Sequence, residues 1–233
     1  MADYKHICCS AMIVQNSLQT SLATLIAISD GKIIVPLTEN APKGTMSTER
    51  LCILQTLLRN IILELGNVED ISKISHTLHR DYDSLNNFYS KIKPHLDFFN
   101  YLRNKFVAHI PTGITHQTLE WLPQAYLILG KTDGANQLML SLFALETAIN
   151  TYTSLKSGYK IFDSETDLQY PPDRDRFFDL LISFSESSIN YLQELVKISK
   201  LQFDIPDIKA DEFDFFKRAA MLKFEYVTKR GSR

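Results

Sequence analysis

Between Tyr101 and His109 the chain reads Tyr-Leu-Arg-Asn-Lys-Phe-Val-Ala-His, placing a permanent cation, an amide and an imidazole among apolar neighbours. Arg103 offers a planar fork of donors suited to phosphate oxygens. His109 has an ordinary pKa near neutrality, so it can both take and give a proton. Such a pair is a sufficient kit for cutting RNA without a metal. The histidine removes the ribose 2′-OH proton, the oxygen attacks the adjacent phosphorus, and the arginine stabilises charge gathering on the equatorial oxygens. The local charge suits a polyanion, because Lys91, Lys93, Arg103 and Lys105 oppose only Asp97 in this stretch. Lys105 and His116, the latter in a loop beyond the motif, are further candidates for binding the substrate. Phe98, Phe99, Tyr101 and Phe106 are interleaved with these charges; such rings can stack on bases, or at helical spacing they can fill a core.

Helix geometry constrains this chemistry. Positions six apart lie about 240° apart around an ideal helix, so Arg103 and His109 do not share one face. Either Pro111 unwinds the last turn and swings His109 round, or a second copy of the chain completes the site across an isologous interface.

The elements that must position the motif read as helices. Ile7, Ala11, Val14, Leu18, Leu22, Leu25 and Ile28 recur every three or four residues, and Asp30-Gly31 is a helix stop. A rival reading pairs Leu25–Ile28 with Lys32–Val35 as a hairpin. Lys32 to Thr45 is a connection. Ser47 opens a Leu-rich second helix with an incomplete capping box, and Gly66-Asn67 is expected to stop it. Val68 to Lys93 is a third segment with a polar middle, His79 to Asp83, where it can break. Pro94 is expected to start a fourth helix, which carries the motif and is bounded by Pro111. After a Pro/Gly loop, Thr118–Leu129 is short and broken by Pro123, and Gly134–Tyr152 is more regular. Lys156–Pro172 is the longest gap. A long helix capped near Asp173 follows, then Pro206, an amphipathic Phe-rich piece from Asp211 to Tyr226, and a basic tail. The fold class is all-α, a helical bundle over residues 1–155 with additional C-terminal helices over 156–233.

With 233 residues, 45% hydrophobic and 22% charged, the chain is composed like an ordinary globular protein. A net charge of -2 gives no global field for nucleic acid, so any polyanion site is local. Cys8, Cys9 and Cys52 form an odd set that suits reduced thiols. The early polar residues argue against a signal peptide, and no uninterrupted apolar run reaches the roughly 20 residues of a membrane span. A soluble, cytoplasmic protein is expected. His76 and His79 with Asp81 and Asp83 lack the convergent ligands zinc needs, and read as a solvated polar face. Asp173-Arg174-Asp175-Arg176 reads as a charged helix start. No Gly-rich phosphate loop or dinucleotide fingerprint is present, and no metal or cofactor is expected.

Leu102-Arg103-Asn104-Lys105, followed by Ala108-His109 late on a helix of an all-α chain, resembles the HEPN superfamily. Its signature is an Arg, often with a polar neighbour, four to six residues before a His. The phrase is especially similar to the AbiU2-like branch, and the helix order over residues 4–109 follows that branch; residues 160–233 carry no part of the resemblance. The resemblance implies a homodimer with a composite cleft and, in active members, metal-independent endoribonuclease activity leaving a 2′,3′-cyclic phosphate. Such members usually serve in toxin–antitoxin or phage-defence systems, which implies an antitoxin or regulator protein as a further partner. It gives Arg103 the role of binding and polarising phosphate, His109 that of acid or base, and Asn104 that of orienting phosphate or imidazole. Many members are non-catalytic, so the alternative is a helical dimer acting as an interaction or nucleotide/RNA-binding module.

Overall fold

A computed structural model describes residues 3–32, 48–131, 133–154 and 158–204. All regular structure among the described residues is helical: α1 (Tyr4–Ser29), α2 (Thr48–Ile74), α3 (His76–Asp81), α4 (Asp83–Leu102), a π turn (Arg103–Val107), α5 (Thr112–Trp121), α6 (Pro123–Ile128), α7 (Gly134–Thr151) and α8 (Pro171–Lys200). Ser47, the remainder of the connection after Lys32, and the Phe-rich segment from Asp211 lie outside the described residues.

The long helices form the frame. Helix α1 packs between α2 and α8, α2 also packs on α4, and α4 closes the ring against α8. The expected stripe of α1, from Ile7 to Ile28, is buried throughout. Asp3 caps its start through the His6 amide at 3.2 Å. Its end is a left-handed stop: Gly31 has φ +71, and the Lys32 amide returns to the Ala27 carbonyl at 2.9 Å. The hairpin reading therefore fails in its first half, because Leu25–Ile28 is helical.

Helix α2 does not stop at Gly66-Asn67 but continues to Ile74. A glycine costs only about 1 kcal/mol in a helix interior, and Leu65, Val68 and Ile71 continue the buried stripe past it. Helix α4 likewise runs through Pro94 rather than starting there. Pro94 and Ser90, whose carbonyl the proline cannot serve, both face solvent, so water can take the missing donor's place. The polar middle of the third segment does break, at Tyr82, and the chain also breaks earlier, at Ser75.

Helix α8 contributes Phe177, Leu181, Phe184, Leu192, Leu195 and Ile198 to the same core as α1, α2 and α4. The described part of residues 156–233 is thus packed into the bundle itself. Its start is set by Tyr170 and Pro171 rather than by an Asp173 cap. Helices α5, α6 and α7 form a side layer with its own small cluster of Ala125, Ile128 and Phe143. By length and composition α1 and α2 could each cross a membrane; in this fold their apolar stripes face the bundle core.

Candidate active site

The motif straddles a change in winding. Helix α4 ends at Leu102, and the Ala108 amide bonds the Arg103 carbonyl at 2.8 Å, five residues back. A π turn is wider than an α turn, and such turns are frequent at functional sites. After Ala108 the chain is irregular until Pro111 begins the approach to α5. The helix therefore widens within the motif itself and ends at Ala108, ahead of an extended Pro111.

Arg103 is built into α2. Its side chain lies so close over Gly66 that a Cβ there would sit 2.5 Å from Arg103 Cδ and 2.8 Å from its Cβ. That close approach explains the glycine inside the Leu-rich helix. Nη1 then donates to Asn67 Oδ1 at 3.1 Å and to Asp70 Oδ2 at 2.6 Å. The side chain is 15% exposed, whereas that of Asp70 is 55% exposed. Asp70 also lies 3.8 Å from Lys73, which pairs more closely with Glu69 at 2.8 Å. The hydrogen bond that Lys73 donates to Glu69 holds the Lys73 pKa above its ordinary value.

Arg59 holds the other end of the turn. It donates to the Val107 carbonyl at 3.0 Å and its guanidinium lies 4.9 Å from the centre of the Phe106 ring. This satisfies a carbonyl at the end of a helix, where intrahelical partners run out. Asp70 and Arg59 are eleven residues apart on α2, about 16 Å along its axis. Arg103 is thus anchored in the C-terminal third of α2, while the chain leading to His109 is anchored near its middle.

The remaining candidates differ in exposure. His109 is exposed and has no hydrogen-bond or ionic partner among the described residues. Asn104 is exposed and donates to Asn100 Oδ1 at 3.2 Å. Lys105 Nζ lies 6.0 Å from the centre of the Tyr101 ring. His116 lies on α5 rather than in a loop, exposed and 3.5 Å from Glu120; α5 starts early because Pro111 sets its entry. The stacking rings resolve toward the core: Phe98, Phe99 and Phe106 are buried, and Phe99 stacks on Phe184 of α8 at 4.7 Å. Tyr101 is half-buried and bonds Thr151 at 3.0 Å.

Two polar groups escaped the sequence reading. His79 is buried, not on a solvated face: its Nε2 pairs with Tyr191 OH at 2.8 Å, and its ring stacks on Tyr89. Burial, with His76 nearby, pushes its pKa down to about 4. Glu146 of α7 is buried as well, and burial pushes its pKa up to about 7. Periodicity gave no warning of either, since their partners, Tyr191 and Leu168, are remote in sequence. The free cysteines are Cys8, buried, with Cys9 and Cys52 exposed.

Comparison with family models, with curated proteins and with solved structures gives no match for this chain. The functional reading therefore rests on the motif and its geometry.

Proposed function

We propose that this chain is a metal-independent endoribonuclease of the HEPN type, working as a cytoplasmic homodimer in a toxin–antitoxin or phage-defence setting. The observation that carries the reading is the exit from the π turn, which leaves His109 exposed and, among the described residues, unpartnered, a few residues from the pinned Arg103. A general base must reach solvent-borne substrate, and an imidazole without internal partners is free to do so. The anchoring of Arg103 and of the His109 approach at separate points of α2 favours a site shared between copies. In that site, His109 takes the 2′-OH proton, and the 2′-oxygen attacks the phosphorus held by Arg103 from the facing copy. The P–O5′ bond breaks, the 5′-oxygen leaving as a hydroxyl with a proton from water and the other product being a 2′,3′-cyclic phosphate. Asn104 orients the phosphate, and Lys105 and His116 guide the RNA backbone. A phosphate oxygen then competes with Asp70 for Nη1 of Arg103. The test is purified protein on RNA with a metal chelator present: cleavage is expected, and His109→Ala should abolish it. Cleavage persisting in that variant would remove His109 from the mechanism.

A second reading has its own support. Arg103 is already satisfied by Asn67 and Asp70 and seated on Gly66, as a structural clasp would be. On that reading the chain is a non-catalytic interaction or RNA-binding module. Wild type then leaves RNA intact, and Arg103→Ala alters only stability or assembly.

A further inference from the structure

Helix α7 presents Glu146, Thr147 and Asn150 on one face, and the segment before α8 is tied along it by side chains. Asn150 takes the Thr166 backbone as a pair, donating to its carbonyl at 2.9 Å and accepting from its amide at 2.8 Å. Glu146 Oε2 accepts from the Leu168 amide at 2.9 Å. From α8, Asp173 accepts from the Asp167 amide at 3.0 Å, and Arg176 reaches Ser164 at 3.0 Å while lying 4.5 Å from the Phe162 ring centre. The longest gap in the sequence is thus a strap clamped from two helices.

Between this strap and the α5–α6 junction lies a cavity of about 580 Å³, lined among others by Trp121, Gln124, Glu146, Asn150, Lys160 and Asp167. Glu146 is 4% exposed, and its second carboxylate oxygen accepts no hydrogen bond among the described residues. The charged groups around it are predominantly acidic. Asp167 and Glu165 come from the strap and Asp173 from α8; Lys160 also lines the cavity, and Arg176 is engaged by Asp173 at 3.1 Å. The α5–α6 wall adds Trp121, Leu122 and Gln124, with no charge.

We propose that this cavity binds a small organic cation, an alkyl amine or guanidinium, with its charged head on the free oxygen of Glu146 and its apolar body beside Trp121. A buried carboxylate with one vacant acceptor and excess negative charge around it is completed by a cationic donor. An indole in the cavity wall can add attraction where its ring face meets the cation. Because burial holds the Glu146 pKa at about 7, the cation and a proton compete for one oxygen near neutrality. Binding therefore releases a proton below that pH. The site lies on α7 and the strap, apart from the Arg103–His109 turn, and does not rest on the ribonuclease reading.

Trp121 is the sole tryptophan of the chain and reports directly on the cavity. Agmatine titrated into the full-length protein at constant ionic strength should change its fluorescence saturably. The affinity should rise about tenfold per pH unit approaching neutrality, then level off at about pH 7 to 8. Glu146→Gln, which keeps the Leu168 bond but loses the charge, should weaken binding by about tenfold or more. Lys160→Glu on the exposed strap should tighten it, and serves as the readout if the Glu146 variant misfolds. The proposal is overturned by a flat fluorescence titration in wild type, by unchanged affinity in a folded Glu146→Gln variant, or by weaker binding in Lys160→Glu.

Discussion

The chain leaves regular α-helix at two places that each carry a histidine, and it treats them oppositely. At the α2–α3–α4 breaks, His79 is sealed: Tyr191 bonds both His79 Nε2, at 2.8 Å, and Ser75 Oγ, at 3.0 Å, and Tyr89 stacks on the imidazole. At the end of α4, His109 faces solvent with no partner among the described residues. A buried polar group must be satisfied within the protein or it costs stability, and His79 meets that demand. An exposed one carries no such obligation, and His109 remains available for chemistry. The difference separates a histidine that holds helices together from one left open to solvent.

Acid should expose that contrast most strongly. The folded-state pKa of His79 is lowered from 6.5 to about 4, so between these values the unfolded chain binds more protons. Its contribution to stability is present above about pH 6.5 and is lost as pH falls toward 4, by about 3 kcal/mol in full. Glu146 runs the other way: its pKa is raised from 4.5 to about 7, so its contribution is present at low pH and lost as pH rises through that window. Denaturant melts from about pH 4 to 8 should therefore show a steeper acid loss in Glu146→Gln than in wild type.

Tyr191→Phe should cost about 1–3 kcal/mol, since it strips the buried His79 and Ser75 of a shared partner, and should leave RNA cleavage per folded molecule unchanged. His109→Ala should do the reverse, abolishing cleavage while moving stability by no more than about 0.5 kcal/mol. A large stability loss from His109→Ala in urea melts would break the comparison.

Gly66→Ala should cost about 1–2 kcal/mol net, because displacing the Arg103 side chain outweighs the gain in helix propensity. The cost should shrink in an Arg103→Ala background, which removes the Cδ contact but keeps the Cβ one; a double-mutant cycle measures the coupling. Asp70→Asn should affect stability less than Gly66→Ala does, by about 0.5–1 kcal/mol, because the acid is more than half exposed. Its cleavage readout is sharper, since freeing Arg103 from a competing carboxylate should strengthen RNA binding.

The long helices were legible because each buries a stripe at helical spacing that survives local irregularities. For the same reason the punctuation misled: Gly66 and Pro94 look like boundaries, yet one makes room for Arg103 and the other sits on the solvent face of its helix. The chemical residues Arg103, Asn104 and His109 were visible as a cluster. Their supports, Arg59, Asn67 and Asp70, were not, because helix-to-helix register decides them and a single sequence does not encode that register in any local pattern. His79 and Glu146 were hidden likewise, each satisfied by a group far along the chain.

The central claim is that Arg103 and His109 act on one phosphate only across two copies of the chain. Arg103→Ala and His109→Ala proteins, each inactive alone, should be mixed, allowed to exchange subunits and assayed on RNA with a chelator present. A shared site predicts recovery of about a quarter of wild-type activity, because half the dimers are mixed and each then holds one complete pair. No recovery in a mixture shown to have exchanged subunits, with wild type active, would contradict the account.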